Sequence, residues 1–575
     1  METEKKVILF GAGNFGKKAL AYFGHEKVAW FADNNAALAG TLIDGVSVIT
    51  FEKLKEIHRD YEIVVATGPK LLFEIVPQLE QAGIKEYRVF LKMLAEKDGD
   101  PVPQAPPPGP ACGAERPAQT EYDGKRVLMI AYYFPPLSGS GVFRSLKFAK
   151  YLPQFGWMPT VISTDRPRPD WDLKDTDLLR EVPREAEVIR LPDMIGTLRQ
   201  MSFSPGEESA LLAFLRDILR HSGEGSAIFD SLSQDPKGRA WLLTFPCTAL
   251  LWAYEAVQYI EKNVDLSRFS VVYTTSGPCS DHLVGFYLKE KYGIPWVADY
   301  RDPWTDDPLG DYDAQNPHHR LYFELESILL KKADRNLIVA ESAVERYIRR
   351  FSLSPESVVC ITNGYDERDF DTLRFSEEQP PEFSINYSGL LYSKYRNVKP
   401  VLRAVQELAE EGSIDLRHVR FRVVGTADPG QGLETAKEYK LDSILVYTGY
   451  LSHQDALQLN YDSGLLLLLV GDGDRVKSVY TGKVFDYLRS GRPILALAPK
   501  DGVVDKVLRE TGHGEAYGSA QLPEIKAMIL REYQKWRRGE KRELLHSPRI
   551  ERFERKRLTG QLAEVLDTVS REENE

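Results

Sequence analysis

The chain contains 575 residues, of which 43% are hydrophobic, and its formal net charge is −11. This length predicts about three or four domains, and the acidic balance argues against general nucleic-acid binding. The longest apolar run, Leu465–Val470, falls far short of the ~20 residues that a membrane-spanning helix needs.

The first residues and the cysteines indicate the compartment. Met1 and its neighbours lead directly into a predicted strand, so we expect no signal peptide. The cysteines do not have metal-site spacing and are typical of reduced thiols in the cytoplasm; they are Cys112, Cys247, Cys279 and Cys360. We expect a cytoplasmic protein, and attraction to the inner face of the membrane stays open.

The first 97 residues carry a nucleotide-binding pattern. A predicted strand is followed by Gly11, Gly13 and Gly16, then by a helix, and Asp33 ends the next strand 20 positions after Gly13. In this pattern the glycines make a tight turn, a close phosphate approach and a helix contact, while the acid binds ribose hydroxyls. Three hypotheses stay open: a nucleotide or nucleotide-sugar site, a site that has lost its ligand, and an NAD(P) site. The pattern lacks a following Tyr-x-x-x-Lys pair, which disfavours a working dehydrogenase.

Residues 98–123 predict a linker. Seven prolines stand there among Gly, Ala and Gln. Such a composition cannot bury a core, so we expect an extended or disordered segment that separates the first domain from the rest.

The strand–helix rhythm starts again at residue 124. A strand over 126–131 precedes the small-residue loop Ser138–Gly141 and an amphipathic helix. A loop without bulky side chains lets backbone amides reach a diphosphate. Arg144 lies one turn into the helix, and we expect it to face the cleft.

Residues 164–245 show one strand pattern at Glu187–Leu191 and otherwise indicate a helical insertion to which we assign no chemistry.

Polar residues end the strand that precedes residue 300. Asp299, Arg301 and Asp302 follow the run P-W-V-A, and His282 stands near the start of the preceding helix. The sequence leaves two interpretations open, a structural Arg–carboxylate pair and a substrate-facing group. A buried or capping role is the commoner one for a histidine at such a position.

The run Tyr480–Pro493 follows the buried strand at Leu465–Val470 and predicts a helix that starts at Lys483. Lys483 and Asp486 therefore lie at the carboxyl end of a parallel strand, where open α/β sheets bind ligands. The run resembles the nucleotide-sugar segment of the family 4 glycosyltransferases, where K-x-x-E-Y-x-x-x-G-x-P is usual. The stretches 132–163, 295–304 and 361–366 are also similar to that family, and the resemblance covers residues 124–575.

The resemblance implies an α/β protein with two facing Rossmann-like domains, the GT-B architecture, behind the small front domain. It implies a retaining glycosyltransferase that moves a sugar from a nucleotide-diphosphate sugar to a glycan or lipid-linked acceptor, in cell-surface polysaccharide synthesis. No metal and no other cofactor is expected for the transfer. The front domain resembles the nucleotide-sugar-binding domain of PglD-type sugar acyltransferases.

The resemblance also assigns roles to individual residues. Arg396 and Lys483 would stabilise charge on the leaving diphosphate, and Asp299 or Asp302 would orient the acceptor hydroxyl beside Arg301 and His282. The donor would be held by Gly139, Ser140, Gly141, Arg144, Gly389, Lys394, Asp486 and Tyr487. Asp486 stands where the family carries the Glu that binds ribose. Two positions depart from the family pattern: Leu390 follows Gly389 directly, and Ser478 replaces a sugar-binding Glu.

The predicted boundaries are 1–97, 98–123, 124–372, 373–545 and 546–575, the last a basic helical tail. Two alternatives to the transferase stay open. One is a non-catalytic nucleotide-sugar-binding or scaffolding protein, which the two departures favour. The other is an NAD(P)-dependent sugar-nucleotide oxidoreductase that works through residues 1–97.

Overall fold

The computed structural model describes residues 5–67, 124–164, 175–193, 205–306, 312–389, 397–425, 429–449 and 451–572, with short stretches between 75 and 90. The chain divides into two compact units. The first comprises Met1–Glu121, Met194–Leu212 and Leu232–Thr248, and the second comprises Tyr122–Asp193, Ala213–Ser231 and Ala249–Glu575. Among the helices of these described ranges, none has the length and apolarity needed to cross a bilayer.

The first unit contains a six-stranded sheet, which we name the front sheet. Its strands are β1 Val7–Phe10, β2 Val28–Asp33, β3 Leu42–Ile43, β4 Val46–Thr50, β5 Glu62–Val65 and β6 Arg88–Val89, in the order β3-β4-β2-β1-β5-β6. All neighbours pair in parallel except the β3–β4 hairpin. Helices α1 Asn14–Phe23 and α2 Phe51–Ile57 accompany the sheet. The chain crosses over between β1 and β5, as in nucleotide-binding sheets.

The second unit begins with a seven-stranded parallel sheet, the N-sheet. Its strands are β7 Lys125–Ile130, β8 Trp157–Thr164, β9 Glu187–Leu191, β10 Val271–Thr275, β11 Trp296–Tyr300, β12 Arg335–Ile338 and β13 Val358–Cys360. Their order is β13-β12-β11-β10-β7-β8-β9. The helices between β7 and β13 are α3 Ser140–Tyr151, α4 Pro205–Leu219, α5 Gly223–Gln234, α6 Pro236–Leu242, α7 Leu250–Asn263, α8 Asp281–Tyr292, α9 Pro317–Lys332 and α10 Glu341–Phe351. Of these, α6 and the first half of α4 belong to the first unit.

A second parallel sheet, the C-sheet, follows in the same unit. It contains β14 Phe383–Ser388, β15 Val419–Val424, β16 Leu445–Gly449, β17 Leu465–Leu469, β18 Ile494–Leu497 and β19 Ala516–Tyr517, in the order β16-β15-β14-β17-β18-β19. Its helices are α11 Lys399–Glu410, α12 Pro429–Glu438, α13 His453–Asp462, α14 Lys483–Ser490, α15 Val503–Glu510 and α16 Leu522–Arg537. The all-leucine strand β17 is fully buried, as expected for a strand covered on both faces.

The last helix, α17 Arg555–Glu572, links the two sheets. Its apolar side packs into the core of the N-sheet, where Leu558, Leu562 and Leu566 lie among residues of the strands. The segment before it pairs with the connection between the sheets, since the Tyr365 amide donates to the Phe553 carbonyl and the Arg555 amide to the Tyr365 carbonyl. The basic tail is thus part of the N-sheet core on one face.

The α/β class with three Rossmann-like sheets is confirmed. The N-sheet and C-sheet both have the doubly wound order in which the first strand lies between the second and the fourth. The proline-rich linker at 98–123 lies outside the described residues, and the predicted domain boundaries stay predictions. In the region 164–245 the structure has β9 with the predicted bounds and helices α4 to α6.

Candidate functional site

Each large sheet has a crevice at its carboxyl edge where the strand order reverses. In the N-sheet it lies between β7 and β10, and in the C-sheet between β14 and β17. Ligands of open α/β sheets bind at such points. The sequence-predicted residues fall around both crevices, and the structure separates those that face one from those that are buried beneath it.

Lys483 lies over the end of β14. A Cβ atom added at Gly389 would collide with the Lys483 ammonium, and that ammonium lies 4.7 Å from the centre of the Tyr387 ring. Gly389 has φ 133°, a conformation that favours glycine. The structure therefore brings Lys483 and Gly389 together at the C-sheet crevice, as the sequence predicts.

Tyr487 is buried and supports this site from below. Its hydroxyl accepts a hydrogen bond of 3.1 Å from the Ser388 amide, and burial raises the pKa of Tyr487. The predicted contact of Tyr487 with the donor stays a prediction; in the structure its hydroxyl is bonded to the end of β14. It fixes the strand end that carries Gly389.

Ser478, which replaces a family Glu, is in contact with the other half of the unit. Its hydroxyl accepts a hydrogen bond of 2.8 Å from Arg346 on α10, and Arg346 also pairs with Asp306. A protein cation therefore lies where the resemblance implies a contact with the donor sugar.

Asp486 lies partly buried on α14, three residues after Lys483. Burial raises the pKa of Asp486 to about 6, while the nearby charge of His453 opposes the rise and that of Asp369 adds to it. A carboxylate of this kind still ionises near neutral pH and can then accept hydrogen bonds from hydroxyl groups. The position agrees with the predicted ribose contact, which itself stays a prediction.

Next to Asp486 lies an interlocked set of charges that the sequence did not reveal. Lys147 on α3 is bound by Glu181, Asp366 and Asp369 at 2.6 to 2.8 Å. Lys150 adds contacts of 2.6 Å to Glu181 and 2.8 Å to Asp366. The carboxylates hold the pKa of Lys147 above its usual range, despite the opposing effect of burial. This set joins α3 to the connection between the two sheets.

The three carboxylates of this set do not fit a metal ion. Oxygen atoms of Glu181, Asp366 and Asp369 lie within 4.8 Å of one another, as in a cation site. However, the Lys147 and Lys150 ammonium groups already lie among them and supply the compensating charge. We therefore interpret the group as an ion-pair network that fixes α3.

Arg144 and Asp299 form one buried ion pair beneath the N-sheet crevice. The two side chains are 1% and 0% exposed, and two hydrogen bonds of 2.7 and 2.8 Å join the guanidinium to the carboxylate. Arg144 also donates to the carbonyls of Ile361 and Thr362, and Tyr273 donates to Asp299. The predictions of a cleft-facing Arg144 and a catalytic Asp299 are therefore wrong, because the polar atoms of both side chains are hydrogen-bonded inside the core.

His282 is a core residue as well. It is 0% exposed, it shares a hydrogen bond of 2.7 Å with the Thr274 hydroxyl, and burial lowers its pKa to about 3. The ring is therefore neutral and packs 4.5 Å from the Tyr300 ring. Its Nε2 has no hydrogen-bond partner among the described residues, and the acceptor-side role of His282 stays a prediction.

Arg301 lies at the N-sheet crevice. Its guanidinium occupies space that a Cβ on Gly141 or Gly277 would fill, and it donates 3.0 Å to the Gly277 carbonyl. Its side chain is 11% exposed, whereas Asp302, 3.7 Å away, is 80% exposed. Arg301 and Asp302 thus stay candidates for contact with an acceptor.

The small-residue loop keeps its predicted place. Gly139 caps the N-terminus of α3 with φ 110°, and Ser140 and Gly141 form the first turn. The amides of this turn point towards the crevice end of the helix, which favours an anion. Arg396 and Lys394, with Leu390, lie outside the described residues.

The front sheet shows which of its glycines serve the fold. A Cβ on Gly11 would collide with Thr67, and one on Gly16 would collide with the Gly11 carbonyl, so both are needed for packing. A Cβ on Gly13 would meet no described atom within 4 Å, which leaves the N-terminus of α1 open. Asp33 accepts bonds of 2.8 Å from the amides of Ala12 and Asn35, so it also shapes the glycine loop.

Besides the charge set around Lys147, sequence reasoning missed two groups, His453 with Asp369, and Asp281. Asp281 is fully buried at the start of α8, where it accepts a bond of 2.9 Å from the Tyr132 amide, and burial raises its pKa. His453 opens α13 and lies against Asp369. A polar residue at the first turn after a predicted strand was the only signal that the sequence offered for either.

Comparison with known proteins supports one activity. Residues 144–364, less than half of the chain, match the model of the glycosyl transferase 4-like domain family. No curated protein matches the sequence. The matched region spans the N-sheet from α3 to the connection that follows β13.

Several solved structures have a related arrangement at low identity. Sucrose-phosphate synthase from Thermosynechococcus elongatus is 13% identical, covers 78% of this chain and 97% of its own, and has a TM-score of 0.46. A glycosyltransferase from Rickettsia africae ESF-5 is 12% identical, with coverages of 78% and 99% and a TM-score of 0.47. Alr3699/HepE from Anabaena, in complex with UDP, is 12% identical, with coverages of 78% and 98% and a TM-score of 0.43.

TM-scores below 0.5 at such identities decide nothing about the reaction. The family match does bear on it, because residues 144–364 include Arg301 and Asp302 at the N-sheet crevice, while β7 and the loop Ser138–Gly141 precede the match. We conclude that residues 144–364 are similar to a glycosyl transferase 4-like domain and that this similarity, in a unit with two consecutive Rossmann-like sheets, supports glycosyl transfer.

Proposed function

We propose that the chain is a retaining glycosyltransferase that moves a hexose from a nucleotide-diphosphate sugar to a glycan or lipid-linked acceptor in cell-surface polysaccharide synthesis. The single observation that carries the proposal is the site at the C-sheet crevice, where Lys483 lies on Gly389 in a chain whose N-sheet matches a glycosyltransferase domain. The donor binds at the C-sheet and the acceptor at the N-sheet.

The reaction requires a nucleoside diphosphate to leave the donor sugar. Negative charge grows on the leaving phosphate, and a preorganised cation lowers the barrier by stabilising it. Lys483 supplies that cation at the end of β14. In this proposal the amides at Gly139–Gly141, at the start of α3 by the N-sheet crevice, favour the same charge.

The remaining roles are divided between the two halves. Asp486 accepts the ribose hydroxyls, and Arg301 and Asp302 approach the acceptor at the N-sheet crevice. Closing the halves around the substrates excludes water from the reaction. Lys394 and Arg396 join the phosphate site in this proposal through the resemblance alone.

The test is a screen of the purified full chain with UDP-, GDP-, ADP- and dTDP-linked hexoses and lipid-linked acceptors. Transfer with release of a nucleoside diphosphate supports the proposal. Proton NMR of the first-formed product then reads the anomeric configuration, and an inverted product contradicts retention. Binding of a nucleotide sugar without transfer to any acceptor would instead favour the non-catalytic binding protein, which the Arg346–Ser478 contact makes a real alternative.

The front sheet makes a second candidate site. Gly13 leaves the start of α1 open, and Asp33 lies beside it, so residues 1–97 bind a nucleotide or nucleotide sugar in our proposal. An NAD(P)-dependent oxidoreductase is the competing hypothesis. Calorimetry of the full chain with NAD(H) and with nucleotide sugars decides between them.

The proposed location is the cytoplasm at the inner face of the membrane, since a lipid-linked acceptor would lie there. Exposed basic residues of the tail, among them Arg552, Lys556 and Arg557, would attract anionic lipid. Flotation of the full chain with vesicles of phosphatidylglycerol and phosphatidylethanolamine tests this. Absence of binding at low salt would restrict the chain to the soluble fraction.

A further inference from the structure

Arg346 joins the two halves of the second unit at the carboxyl edges of their sheets. It lies in the second turn of α10, the helix that follows β12 of the N-sheet. Its Nη1 donates a hydrogen bond of 2.8 Å to the Ser478 hydroxyl, in the connection from β17 to α14 of the C-sheet. Ligands of open α/β sheets bind at these edges. The guanidinium therefore lies between the two edges at which we propose that donor and acceptor bind.

The connection that carries Ser478 is a neighbour of the proposed phosphate site. It leaves the sheet at the end of β17, and β17 pairs with β14, whose end carries Gly389 beside the Lys483 ammonium. The same connection ends at Lys483, the first residue of α14. A sugar bonded to a phosphate at Lys483 would therefore lie near Ser478 and near the guanidinium that is bonded to it.

Asp306 fixes one edge of the Arg346 guanidinium. Its carboxylate accepts a hydrogen bond from Nε, and its side chain is 15% exposed. The same carboxylate lies 3.8 Å from Nη1 of Arg350, one turn further along α10. Glu326, the next acidic group, is bonded instead to the amide and hydroxyl of Thr305. Among the described residues, Asp306 is thus the one carboxylate that forms an ion pair with either arginine.

The other edge of the guanidinium faces the connection around Ser478. Among the described residues, the hydrogen bonds that Arg346 makes come from Nε and Nη1, so the N–H groups of Nη2 are left for a ligand. The side chain is 35% exposed, which gives a ligand access to it. A carboxylate matches the Nη1–Nη2 edge with two parallel hydrogen bonds, each roughly twice as strong as one to a neutral hydroxyl. This edge is therefore better suited to an anion than to Ser478.

We infer that Arg346 selects the donor: it binds the carboxylate of a nucleotide-linked hexuronic acid, in place of the Ser478 hydroxyl, and so favours this class of donor over neutral hexoses. The inference rests on the proposed function, since it takes Lys483 as the residue that holds the donor phosphate. A Glu at position 478, as in the family pattern, would occupy the same edge of the guanidinium with its own carboxylate. Ser478 leaves that edge to an anionic substrate.

The first experiment compares nucleotide sugars that differ only in a carboxylate or a hydroxymethyl group. The pairs are UDP-glucuronic acid with UDP-glucose, UDP-galacturonic acid with UDP-galactose, and GDP-mannuronic acid with GDP-mannose. Calorimetry on the full chain carrying Gly13→Val, which should block the proposed front site, gives the dissociation constants without an acceptor. We expect the acidic member to bind ~10–100-fold more tightly, the range for hydrogen bonds to a charged group. Equal affinities within every pair that binds overturn the inference.

The second experiment repeats these measurements with substitutions at the contact. Arg346→Gln should lower the affinity for the acidic member to about that of the neutral member, whose own affinity should change little. Ser478→Glu places a carboxylate against the guanidinium, so it should abolish the preference as well. The matched control is Arg349→Gln, at an exposed arginine of the same helix, which should keep the wild-type preference. A preference that survives in Arg346→Gln, or an equal loss for both members, overturns the inference.

The outcomes separate the inference from the proposed function. Transfer of a neutral hexose by a chain that binds both members of each pair equally leaves the function standing and removes the inference. A preference for the acidic member that depends on Arg346, without transfer to any acceptor, supports the inference and contradicts catalysis. If no nucleotide sugar binds, both fail. Thermal unfolding shows whether each variant is folded, and should Arg346→Gln fail to fold, Ser478→Glu and the wild-type comparison carry the test.

Discussion

The clearest residue-scale result is that two predicted site residues neutralise each other. Arg144 and Asp299 stand 155 positions apart and form a bidentate pair with almost no exposed surface. A buried pair of this kind keeps its place because removal of one partner would leave an uncompensated charge, which typically costs about 3–5 kcal/mol. Polar character at a strand end therefore indicated an important position without indicating that it faces substrate.

Lys483 is the residue on which the proposed chemistry depends most. Lys483→Ala should lower the rate of sugar transfer by ~10²–10³, the usual loss when one charge-stabilising donor is removed. The measurement is kcat for transfer, with thermal unfolding to show that the fold is kept. Lys506→Ala on α15, at an exposed lysine, is the control and should keep wild-type turnover. Wild-type turnover in Lys483→Ala would remove the residue from the site.

Glu326 gives a residue-scale prediction about stability. It is fully buried on α9, and burial raises its pKa to about 7, while hydrogen bonds from Thr305 oppose the rise. The folded state therefore holds the proton more tightly than the unfolded state, whose pKa is near 4.5. It follows that the wild type loses stability as pH rises from about 4.5 to about 7, by up to roughly 3 kcal/mol.

Glu326→Gln removes this loss, because the amide cannot ionise. The melting temperature of the variant relative to the wild type should therefore be higher at pH 8 than at pH 5. Thermal unfolding of the full chain at the two pH values measures the difference, with exposed Glu345→Gln on α10 as the control. An equal difference at both pH values would show that Glu326 does not titrate in this range.

At the scale of elements, helix starts and the loops before them carry the functional positions. Helices α1, α3 and α14 each begin near a glycine that follows a strand. The three helix starts differ in what lies beside their glycine: a Cβ on Gly13 or on Gly482 would meet no described atom within 4 Å, whereas one on Gly141 would meet the Arg301 guanidinium. The same local motif is therefore open at the starts of α1 and α14 and covered by a cation at the start of α3.

The start of α1 can be tested by adding a side chain there. Gly13 has a φ of −84°, and a Cβ would meet no described atom within 4 Å, so Gly13→Val should leave the fold intact. It should also block the approach of a phosphate. Calorimetry of a nucleotide sugar with the full chain should then show one site fewer than in the wild type. The control Lys17→Val places the same side chain on the exposed face of α1.

Two results would contradict this prediction. An unchanged stoichiometry in Gly13→Val would mean that the front sheet does not bind the nucleotide sugar. Binding of NAD(H) by the wild type, without a response of this site to any nucleotide sugar, would place the oxidoreductase hypothesis ahead of ours. Gly16→Ala is not a useful control, since its methyl group would collide with the Gly11 carbonyl.

At the scale of the whole molecule, the prediction concerns the linker. Residues 1–97 and 124–575, expressed apart, should each unfold cooperatively, and the larger piece should keep transferase activity. The first compact unit includes Met194–Leu212 and Leu232–Thr248, which come after the linker, so separate folding is a demanding test. Calorimetric unfolding and a transfer assay measure both properties. A larger piece that is folded but inactive would make the front domain part of the active site.

Much of the fold could be predicted from the sequence because strands, turns and helix starts depend on patterns of neighbouring residues. The strand predicted before Gly11 is Val7–Phe10, the strand predicted at Glu187–Leu191 has those bounds in the structure, and the strand predicted at Leu465–Val470 is one residue shorter. Apolar runs between turn residues specify buried strands whatever surrounds them. The glycine spacing of the front sheet and the start of α14 at Lys483 were predictable for the same reason.

The sequence by itself determined the strand–helix rhythm, the glycine turns and the placement of Lys483 and Asp486 at a helix start. The tertiary structure alone decided which polar side chains face a crevice. Asp299 meets Arg144 from 155 positions away, and Lys147 meets Asp369 from 222 positions away. Whether a charge is buried against a partner or faces a ligand depends on packing between segments that are far apart in the sequence. The residues next to that charge in the sequence do not show which distant segment will pack against it.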